Sequence, residues 1–465
     1  MSDVVPVVLC GGAGTRLWPA SRSARPKPLL DLLGDGSLLH TTLERARALT
    51  PKAPWLVGAA GLEQELRRGA GARARLLLEP AGRGTAPAVA AVALQTAAED
   101  PLLLVLPSDH HVADQTALAA AVTAGATLAR EGRFVVFGVR PTHPATGFGW
   151  IVPGAPVPGG HAVARFVEKP DAARAEGLLA QGGLWNAGIF LVRARVLLEE
   201  LEAHAAPLLA AVRAALPSRS GATCRLGPAF LDSPDLALDV AVAERTTRAA
   251  VVPLDAGWSD LGTWQALWEA SPHDTDGNAT HGDVVAVGSS GNLVRAEHRL
   301  VAVAGLHDHV VVETADAVLV VPRAASEQTR AVVGRLADAA RAEAASAITG
   351  PRPWGQARLL DAGPGWAVKR LEVRPGEALS LQVHAHRAER WVVVSGTPAV
   401  ELDGVVRTLA PGEVVEVPAG CAHRLVNDGT VPACLVEVQL GSPDEADIVR
   451  LDDRYGRPTT SLTDS

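Results

Sequence analysis

A short apolar run that breaks into a glycine-rich loop near the amino terminus constrains the fold of this chain more than any other feature. The run extends from Val4 to Cys10 and predicts a buried first strand of an α/β sheet. The loop that follows contains Gly11, Gly12 and Gly14. Because glycine lets the backbone pass close to a ligand, successive N–H groups can converge on phosphate oxygens there. The pattern therefore predicts a phosphate-binding loop at the edge of a sheet.

Two cations accompany this loop. Thr15 and Arg16 follow the glycines directly, and Lys27 lies between two prolines that stiffen its backbone. The planar guanidinium of an arginine suits phosphate oxygens. A glycine turn with surface basic residues is the alternative for a lone GxGT, but the three glycines with Arg16 and Lys27 favour a nucleotide-phosphate site. The spacing differs from both the Rossmann and the Walker motifs.

Composition limits the class of protein. A length of 465 residues predicts two or three domains. The net charge of −8 argues against non-specific nucleic-acid binding, which needs a basic surface. No apolar segment reaches membrane-spanning length, and the amino terminus lacks the pattern of a signal peptide. The four cysteines form no CxxC pair, which favours reduced thiols in a cytoplasmic enzyme. The sequence leaves the oligomeric state open, and a homodimer is one assembly compatible with it.

Helical and strand patterns alternate along the first 270 residues. Strands are predicted at 54–60, 76–78, 102–106 and 133–139, with helices at 37–49 and 86–99 between them. This rhythm predicts a doubly wound α/β domain whose ligands lie at the carboxyl ends of the strands. We expect a mixed-sheet domain over residues 1–270, a small β-rich unit with a helix over 271–348 and a third unit over 349–465.

Two aspartates follow apolar strands in this first domain. Asp109 follows the strand predicted at 102–106, and Asp260 lies in a glycine-flanked turn after a strand predicted at 249–254. Carboxylates beside a phosphate loop suit Mg²⁺, which keeps waters and phosphates as its other ligands. On position alone, capping of the next helix is an equally good role for Asp109.

Three further stretches have the residue types that hold a sugar phosphate. They contain Gly147 in a glycine loop with aromatic residues, the pair Glu168 and Lys169 before a proline, and Asn186 beside a glycine. A carboxylate accepts sugar hydroxyl protons and an ammonium pairs with phosphate, whereas a solvated ion pair is the alternative for an isolated Glu-Lys. Asp239 is a candidate for a residue that supports these groups without contacting the substrate.

The carboxyl-terminal unit contains two motifs at a characteristic spacing. The first motif runs from Gly376 to Gly396 and the second from Gly412 to Asn427. They are similar to the two cupin motifs and predict a β jelly roll that brings their polar residues together. Those residues are Gln382, His384, Glu389 and His423, a mixed nitrogen and oxygen set that suits Zn²⁺ or another divalent metal.

The segment VLCGGAGTRLWPASRSARPKPLL resembles the signature of the sugar-nucleotide pyrophosphorylases, and within them the mannose-1-phosphate guanylyltransferases. The stretches TGFGW, FVEKP and WNAGIF resemble three further motifs of that family. The resemblance implies that residues 11–16 bind the nucleoside triphosphate, that Arg16 and Lys27 stabilise the reacting phosphates, and that Asp109 and Asp260 hold the metal. It also implies GTP and mannose 1-phosphate as substrates, with Gly84 and Thr85 in a turn close to the base.

The segment LSLQVHAHRAERW resembles the isomerase domain of the bifunctional mannose-6-phosphate isomerase/guanylyltransferases. The implied reaction interconverts mannose 6-phosphate and fructose 6-phosphate, with Arg387 holding phosphate or the developing oxyanion. His386 lies outside the metal set, and two roles stay open for it: a general base or a supporting hydrogen-bond donor.

Three positions differ from the family forms. Gly84 stands where the family usually has asparagine, and Ala385 and Arg390 replace histidines. Two alternatives to a bifunctional enzyme therefore remain: a transferase with a structural or weakly active cupin, and a non-catalytic sugar-nucleotide sensor. Retention of Arg16, Lys27, Asp109 and Asp260 together argues against the sensor, since binding alone needs no complete reaction centre.

Overall fold

A computed structural model describes residues 1–12, 14–23, 25–217, 221–442, 447–457 and 459. Its first unit is built on one ten-stranded sheet, in the spatial order 10-3-2-1-4-9-6-11-8-7. The strands of this sheet are β1 (Val4–Leu9), β2 (Trp55–Ala59), β3 (Arg75–Glu79), β4 (Leu102–Pro107), β6 (Phe134–Val139), β7 (Trp150–Val157), β8 (Gly160–Val167), β9 (Leu184–Arg193), β10 (Thr223–Arg225) and β11 (Ala249–Pro253). A separate two-stranded ribbon pairs β5 (His111–Val112) with β12 (Trp258–Ser259).

The sheet is mixed, as expected. Strands β10, β3, β2, β1 and β4 run parallel, but β9 lies antiparallel between β4 and β6. The alternation of strands and helices by itself predicts that neighbouring strands are parallel. This prediction is wrong for β9, because β9 follows a hairpin and a short helix rather than a crossover unit. Strand β9 is buried along most of its length, which fits its central place in the sheet.

Helices cover both faces of this sheet. Val5 and Val7 of β1 pack on the face covered by α3 and α6, while Val4 packs on the face covered by α4. The helices of the unit are α1 (Leu38–Leu49), α2 (Glu63–Ala70), α3 (Thr85–Gln95), α4 (Gln115–Arg130), α5 (Ala172–Ala180), α6 (Ala194–Ala215) and α7 (Trp264–Ala270). A π-helical turn spans Asp239–Ala243.

The middle unit is a short parallel β-helix. Its strands are β13 (Ala279–His281), β14 (Val284–Val287), β15 (Leu293–Ala296), β16 (Val301–Ala304), β17 (His309–Glu313) and β18 (Val318–Pro322), followed by α8 (Thr329–Asp338). Strands β13, β15 and β17 stack in parallel, and so do β14 and β16. The buried amide of Asn292 donates to Asn278 Oδ1 at 3.0 Å and so links successive coils. The β-rich composition predicted strands here but not their parallel stacking.

The carboxyl-terminal unit consists of two facing sheets, as the cupin motifs predict. One has the order 19-20-21-28-23-26 and the other 25-24-27-22-29. The strands are β19 (Thr349–Arg352), β20 (Gly355–Gly363), β21 (Trp366–Val373), β22 (Leu381–His384), β23 (Arg387–Ser395), β24 (Ala399–Leu402), β25 (Val405–Thr408), β26 (Val414–Val417), β27 (His423–Val426), β28 (Ala433–Gly441) and β29 (Ile448–Asp452).

The segment after the glycine loop packs against the other units. Leu17, Trp18 and Leu30 share a core with Trp264 and with β-helix residues such as Val310. The indole of Trp18 and the guanidinium of Arg22 both donate to the carbonyl of Glu343, each at 2.8 Å. This stretch of chain is therefore buried between units rather than exposed on one of them.

Candidate functional sites

Lys27 joins the two aspartates of the first unit. Its ammonium donates to Asp109 Oδ2 at 2.9 Å and also to the backbone carbonyl of Asp260. Lys27 is only 5 % exposed, and the charge of Lys27 helps to keep the pKa of the Asp109 carboxyl below its usual value although burial opposes this. The structure thus brings together three of the residues predicted from separate parts of the sequence.

A short ribbon places the two aspartates at the same end of a pair of strands. In the pairing of β5 with β12, Ser259 lies opposite His111, so Asp109 lies shortly before β5 and Asp260 directly after β12 at one end of the ribbon. Helix α4 is capped by Asp114, whose side chain accepts from the N–H groups of Thr116 and Ala117. The capping role considered for Asp109 is therefore excluded.

The glycine loop approaches Lys27 closely. Gly14 has φ of +63°, and a Cβ atom there would lie 2.6 Å from Lys27 Cβ. Gly11, Gly12 and Thr15 are exposed, which leaves their backbone open to a ligand. Arg16 lies apart from this group: among the described residues its one charged neighbour within 4.0 Å is Glu327, before α8.

Gly84 and Thr85 form a tight turn that positions another segment. Gly84 has φ of +75°, and a Cβ there would lie 2.5 Å from the carbonyl oxygen of Leu236. The hydroxyl of Thr85 accepts from the N–H of Leu238 at 2.8 Å. The contacts of this turn hold the chain just before Asp239.

A second polar group lies where the sugar-phosphate motifs meet. Asn186 donates from Nδ2 to Asp239 Oδ1 at 2.6 Å, and its backbone N–H donates to the carbonyl of Gly149 at 2.7 Å. A Cβ on Gly149 would lie 2.7 Å from Glu168 Oε2. Burial, together with the negative charge of Glu168, raises the pKa of Asp239 to about 7. The site therefore pairs a carboxyl of unusual pKa with an amide.

The remaining predicted residues of this region lie at its rim. Gly147 is exposed next to Phe148, whose ring contacts both Trp185 and Trp258. Lys169 is exposed, has φ of +43° and forms an ion pair with Glu168 at 2.7 Å. Without ligand, the Glu-Lys pair is thus a partly solvated ion pair at the mouth of the site.

Sequence reasoning missed Glu79 at the carboxyl end of β3. Glu79 is 8 % exposed and its Oε1 atom has no hydrogen-bond partner among the described residues. Burial raises its pKa to about 7. Burial raises the pKa of Cys10, and the negative charges of Asp109 and Glu79 raise it further, so the two carboxyls lie near the same residue at the end of β1. The signal available in the sequence was an acidic residue ending an apolar strand.

In the cupin unit, His384, Glu389 and His423 converge. One ligand atom from each lies within 4.8 Å of the other two, and all three side chains are buried. The Nδ1 atom of His423 lies 2.9 Å from the carbonyl of Cys421, which directs Nε2 towards Glu389. Two imidazoles and a carboxylate are a donor set that fits Zn²⁺ or another first-row divalent ion with an open position.

The other predicted cupin residues surround this cluster unequally. Gln382 lies opposite His423 in the pairing of β22 with β27, with its Nε2 3.5 Å from His423 Nε2. Arg387 is buried, with its Nε 2.9 Å from Glu389 Oε1 and its Nη2 2.9 Å from the ring nitrogens of His384. His386 is exposed in the turn between β22 and β23, outside the converging set.

Two buried polar residues of β28 were also missed. Gln439 lies opposite Glu389 in the pairing of β23 with β28, and it donates to Glu437 at 3.1 Å. Burial and the charge of Glu389 raise the pKa of Glu437 to about 8. The signal in the sequence was their separation by two positions, because residues two apart in a strand lie on the same face, here the inner one. Both line a cavity of about 60 Å³ with Gln382 and Arg387.

Comparisons with known proteins match the three units of the chain in turn. A nucleotidyl transferase family model matches residues 5–277, a mannose-6-phosphate isomerase C-terminal model matches 339–453, and a β-helix domain model matches 282–336 between them. The xanthan biosynthesis protein XanB of Xanthomonas campestris is 46 % identical over 98 % of this chain and 100 % of its own length. The chain belongs to the family of bifunctional mannose-1-phosphate guanylyltransferases.

Other members of this guanylyltransferase family are similar over their whole length. The mannose-1-phosphate guanylyltransferase of Escherichia coli is 42 % identical over 98 % of this chain and 99 % of its own. The alginate biosynthesis protein AlgA of Pseudomonas aeruginosa is 42 % identical over 98 % and 97 %. These matches confirm the resemblance read from the sequence motifs, including the order of the units.

A solved structure supports the fold of the guanylyltransferase part. A crystal structure from Thermus thermophilus, described as a mannose-1-phosphate geranyltransferase, superimposes with a TM-score of 0.67 at 36 % identity. It covers 72 % of this chain and 99 % of its own. In the part of the chain that the structure describes, no helix combines the length and apolar character needed to cross a membrane, and all four cysteines are free and buried.

Proposed function

We propose that the first unit transfers GMP from GTP to mannose 1-phosphate, giving GDP-mannose and pyrophosphate. A phosphate oxygen of the sugar phosphate attacks the α-phosphorus of GTP, and the bond to the β-phosphate bridging oxygen breaks. The substrate supplies the nucleophile, so no serine, cysteine or histidine nucleophile is required. The observation that carries this proposal is the contact of Lys27 with Asp109 and with the backbone of Asp260 beside the glycine loop.

The side chains support this reaction by charge and position. Lys27 places a positive charge where oxygens of the triphosphate gain negative charge in the transition state. Asp109 and Asp260 supply the hard oxygen ligands that fit Mg²⁺, which when bound would neutralise phosphate oxygens. The guanidinium of Arg16 lies 4.0 Å from Glu327. We expect nucleotide binding to turn Arg16 from Glu327 towards the phosphates.

The group around Asn186 is the proposed mannose 1-phosphate site. Glu168 accepts hydrogen bonds from sugar hydroxyl groups, and Lys169 turns from its ion pair to the sugar's phosphate. Asn186 is held in place by Asp239 at 2.6 Å and by the backbone of Gly149. Gly147 supplies open backbone at the rim, and the exposed backbone of Gly11, Gly12 and Thr15 faces the nucleotide.

Glu79 is proposed to read the base of the nucleotide. Guanine presents two adjacent donors, N1–H and the 2-amino group, and a carboxylate accepts both, whereas adenine offers an acceptor at N1. The unpartnered Oε1 of Glu79 at the same sheet edge supports this assignment. Gly84 and Thr85 support the base site indirectly, through the turn that they form with residues 236–238.

We further propose that the cupin unit interconverts mannose 6-phosphate and fructose 6-phosphate. The observation that carries this is the buried convergence of His384, Glu389 and His423. A divalent metal there, with Gln382 as a fourth neighbour, would polarise the carbonyl and hydroxyl oxygens of the sugar. Arg387 holds the phosphate or the developing oxyanion, and a proton moves between C2 and C1 through an enediol.

A panel of nucleoside triphosphates against hexose 1-phosphates, read by pyrophosphate release, tests the transferase proposal on the full chain. We expect GTP with mannose 1-phosphate to give the highest kcat/KM. Glu79→Gln should lower that value at least about tenfold and reduce the ratio of kcat/KM for GTP to kcat/KM for ATP. Turnover at background with every nucleotide would instead support the sensor. A coupled assay of mannose 6-phosphate conversion with added divalent metals separates a bifunctional enzyme from a transferase with a structural cupin.

A further inference from the structure

A cavity of about 590 Å³ lies where the three units meet, away from both proposed active sites. One wall is the segment Pro19–Leu32 that follows the glycine loop, and a second is formed by β-helix residues around His298 and Asp316. The third wall is the outer face of the hairpin β20–β21 of the cupin unit. Its volume is in the range of small-molecule binding sites. We call it the junction cleft.

Five arginines and four carboxylates line the junction cleft. The arginines are Arg22, Arg25, Arg358, Arg370 and Arg374. Its four carboxylates are already engaged: Asp316 pairs with Arg22 at 3.1 Å, Glu297 with Arg295 at 2.8 Å, Glu372 with Arg370 at 3.5 Å, and Asp31 accepts from the N–H of Gly34 at 2.7 Å. In the described chain, no carboxylate lies within 4.0 Å of Arg25 or Arg358.

Two of these arginines face each other across a pair of strands. In the pairing of β20 with β21, Arg358 lies directly opposite Arg370. Like charges in directly opposed positions destabilise a sheet unless a counter-charge lies between them. The Nε atom of Arg358 is buried without a hydrogen-bond partner, although its Nη2 contacts His298. Arg370 has Glu372 at 3.5 Å as a counter-charge and donates from Nε to Cys434 Sγ at 3.2 Å. Arg358 is therefore the member of the pair that is placed to receive an anion.

The segments that form the walls of the junction cleft also reach the surroundings of the two proposed active sites. Lys27 belongs to the segment that forms the first wall. On β21, Arg370 faces the cleft, whereas its neighbour Lys369 lines the inner cavity of the cupin. A ligand in the cleft would thus contact both segments at once.

We propose that the junction cleft binds a sugar phosphate monoester, with the phosphate between Arg358 and Arg370 and the sugar against the segment Pro19–Leu32. Guanidinium groups bind phosphate through paired N–H donors. A hexose phosphate and a mononucleotide share this chemistry. The site is distinct from the substrate sites of the proposed function and does not depend on them.

Titration calorimetry on the full chain tests this proposal with three probes: inorganic phosphate, mannose 6-phosphate and GMP. The test variant is R358Q/R370Q, and the matched control is R407Q, an exposed arginine of the same unit. We expect at least one probe to bind to wild type and R407Q at a site whose Kd rises at least tenfold in R358Q/R370Q. Binding of mannose 6-phosphate alone would identify a hexose phosphate site, and binding of GMP alone a nucleotide site.

Thermal unfolding provides the second readout. R358Q/R370Q removes two opposed like charges but also the ion pair of Arg370 with Glu372, so we expect its Tm without ligand to stay close to that of wild type. The probe that binds should raise Tm in wild type only. If this variant fails to fold, the single variant R358Q replaces it, since Arg358 has no carboxylate within 4.0 Å among the described residues. Identical isotherms for all three probes in wild type and variant would overturn the proposal.

Discussion

The ammonium of Lys27 lies 2.9 Å from Asp109 Oδ2, although 82 positions separate the two residues in the chain. The contact is partly buried, and the same ammonium also donates to the carbonyl of Asp260. A buried ion pair leaves an uncompensated charge when either partner is removed. The first three predictions test the surroundings of this contact and of the nearby turns.

Lys27→Ala is expected to lower the rate of pyrophosphorolysis by about 10²–10³-fold, because it removes a charge aimed at the reacting phosphates. Mannose 6-phosphate isomerisation by the same preparation should stay within about twofold of wild type, since the cupin cluster lies in another unit. Lys52→Ala, at an exposed lysine, is the matched control. Equal loss of both activities in a folded protein would contradict the two-site proposal.

Gly14→Ala should mimic much of the Lys27→Ala defect. The added Cβ would lie 2.6 Å from Lys27 Cβ, at a φ of +63° that alanine rarely adopts. We expect a fall in transferase kcat with circular dichroism close to wild type. The control is Gly61→Ala, where no atom lies within 4 Å of an added Cβ and φ is not positive. Wild-type kinetics in Gly14→Ala would show that transferase activity does not require the close approach of Gly14 to Lys27.

Gly84→Asn restores the residue usual in the family, yet we expect it to destabilise this chain by about 1–3 kcal/mol. Its φ is +75°, and the new Cβ would lie 2.5 Å from the carbonyl oxygen of Leu236. Urea unfolding of Gly84→Asn and of Gly82→Asn, where an added Cβ meets nothing within 4 Å, measures the difference. Equal midpoints would mean that the segment at Leu236 adjusts freely.

His384→Ala should abolish metal retention and isomerase activity together, since it removes one of three converging ligands. Metal content per chain after dialysis, measured by mass spectrometry, is expected to fall at least about tenfold, with transferase activity unchanged. His386→Ala is the matched control, because His386 is exposed, and it should retain the metal. Loss of isomerase in His386→Ala with metal retained would assign the general-base role to His386.

Asp239 should make stability depend on pH. Its pKa in the folded chain is about 7, above the value of 3.8 for an ordinary aspartate, so the folded state holds the proton more tightly. The stability that this group contributes is present below about pH 4 and is lost as pH rises through about 7. The free energy of unfolding of Asp239→Asn relative to wild type is therefore expected to increase from pH 5 to pH 8. Asp235→Asn, at an exposed position, should show no such trend; a constant difference for Asp239→Asn would contradict the assignment.

Local pattern predicted six strands and two helices of the first unit to within a few residues. The helix predicted at 37–49 is found at Leu38–Leu49 with Ser37 as its cap, and the strand predicted at 133–139 is found at Phe134–Val139. Such segments form because apolar periodicity and capping are local properties. The antiparallel placement of β9 and the parallel stacking of the β-helix depend on pairing between distant segments, and composition does not encode partner choice.

The site residues also fall into two groups, those that local motifs predicted and those that only the fold revealed. Lys27, Asp109, His384, Glu389 and His423 stand in motifs whose spacing was visible, and each lies where distant segments converge. Glu437 and Gln439 stand in no motif, and Glu79 begins the stretch EPAGRGTAPA without a role that the sequence assigns to it. All three became candidates only through burial beside other polar groups. Arg16 shows the reverse case, because its motif is clear but its guanidinium lies near Glu327 without ligand.

The sequence by itself determined which chemistry this chain carries, because glycine loops, proline-framed lysine and cupin spacing are properties of short contiguous stretches. Only the tertiary structure decided which carboxyls have shifted pKa values, where Arg16 lies, and that five arginines from separate units surround one cleft. Electrostatic and burial effects depend on distances between atoms far apart in the chain, and the fold alone sets those distances.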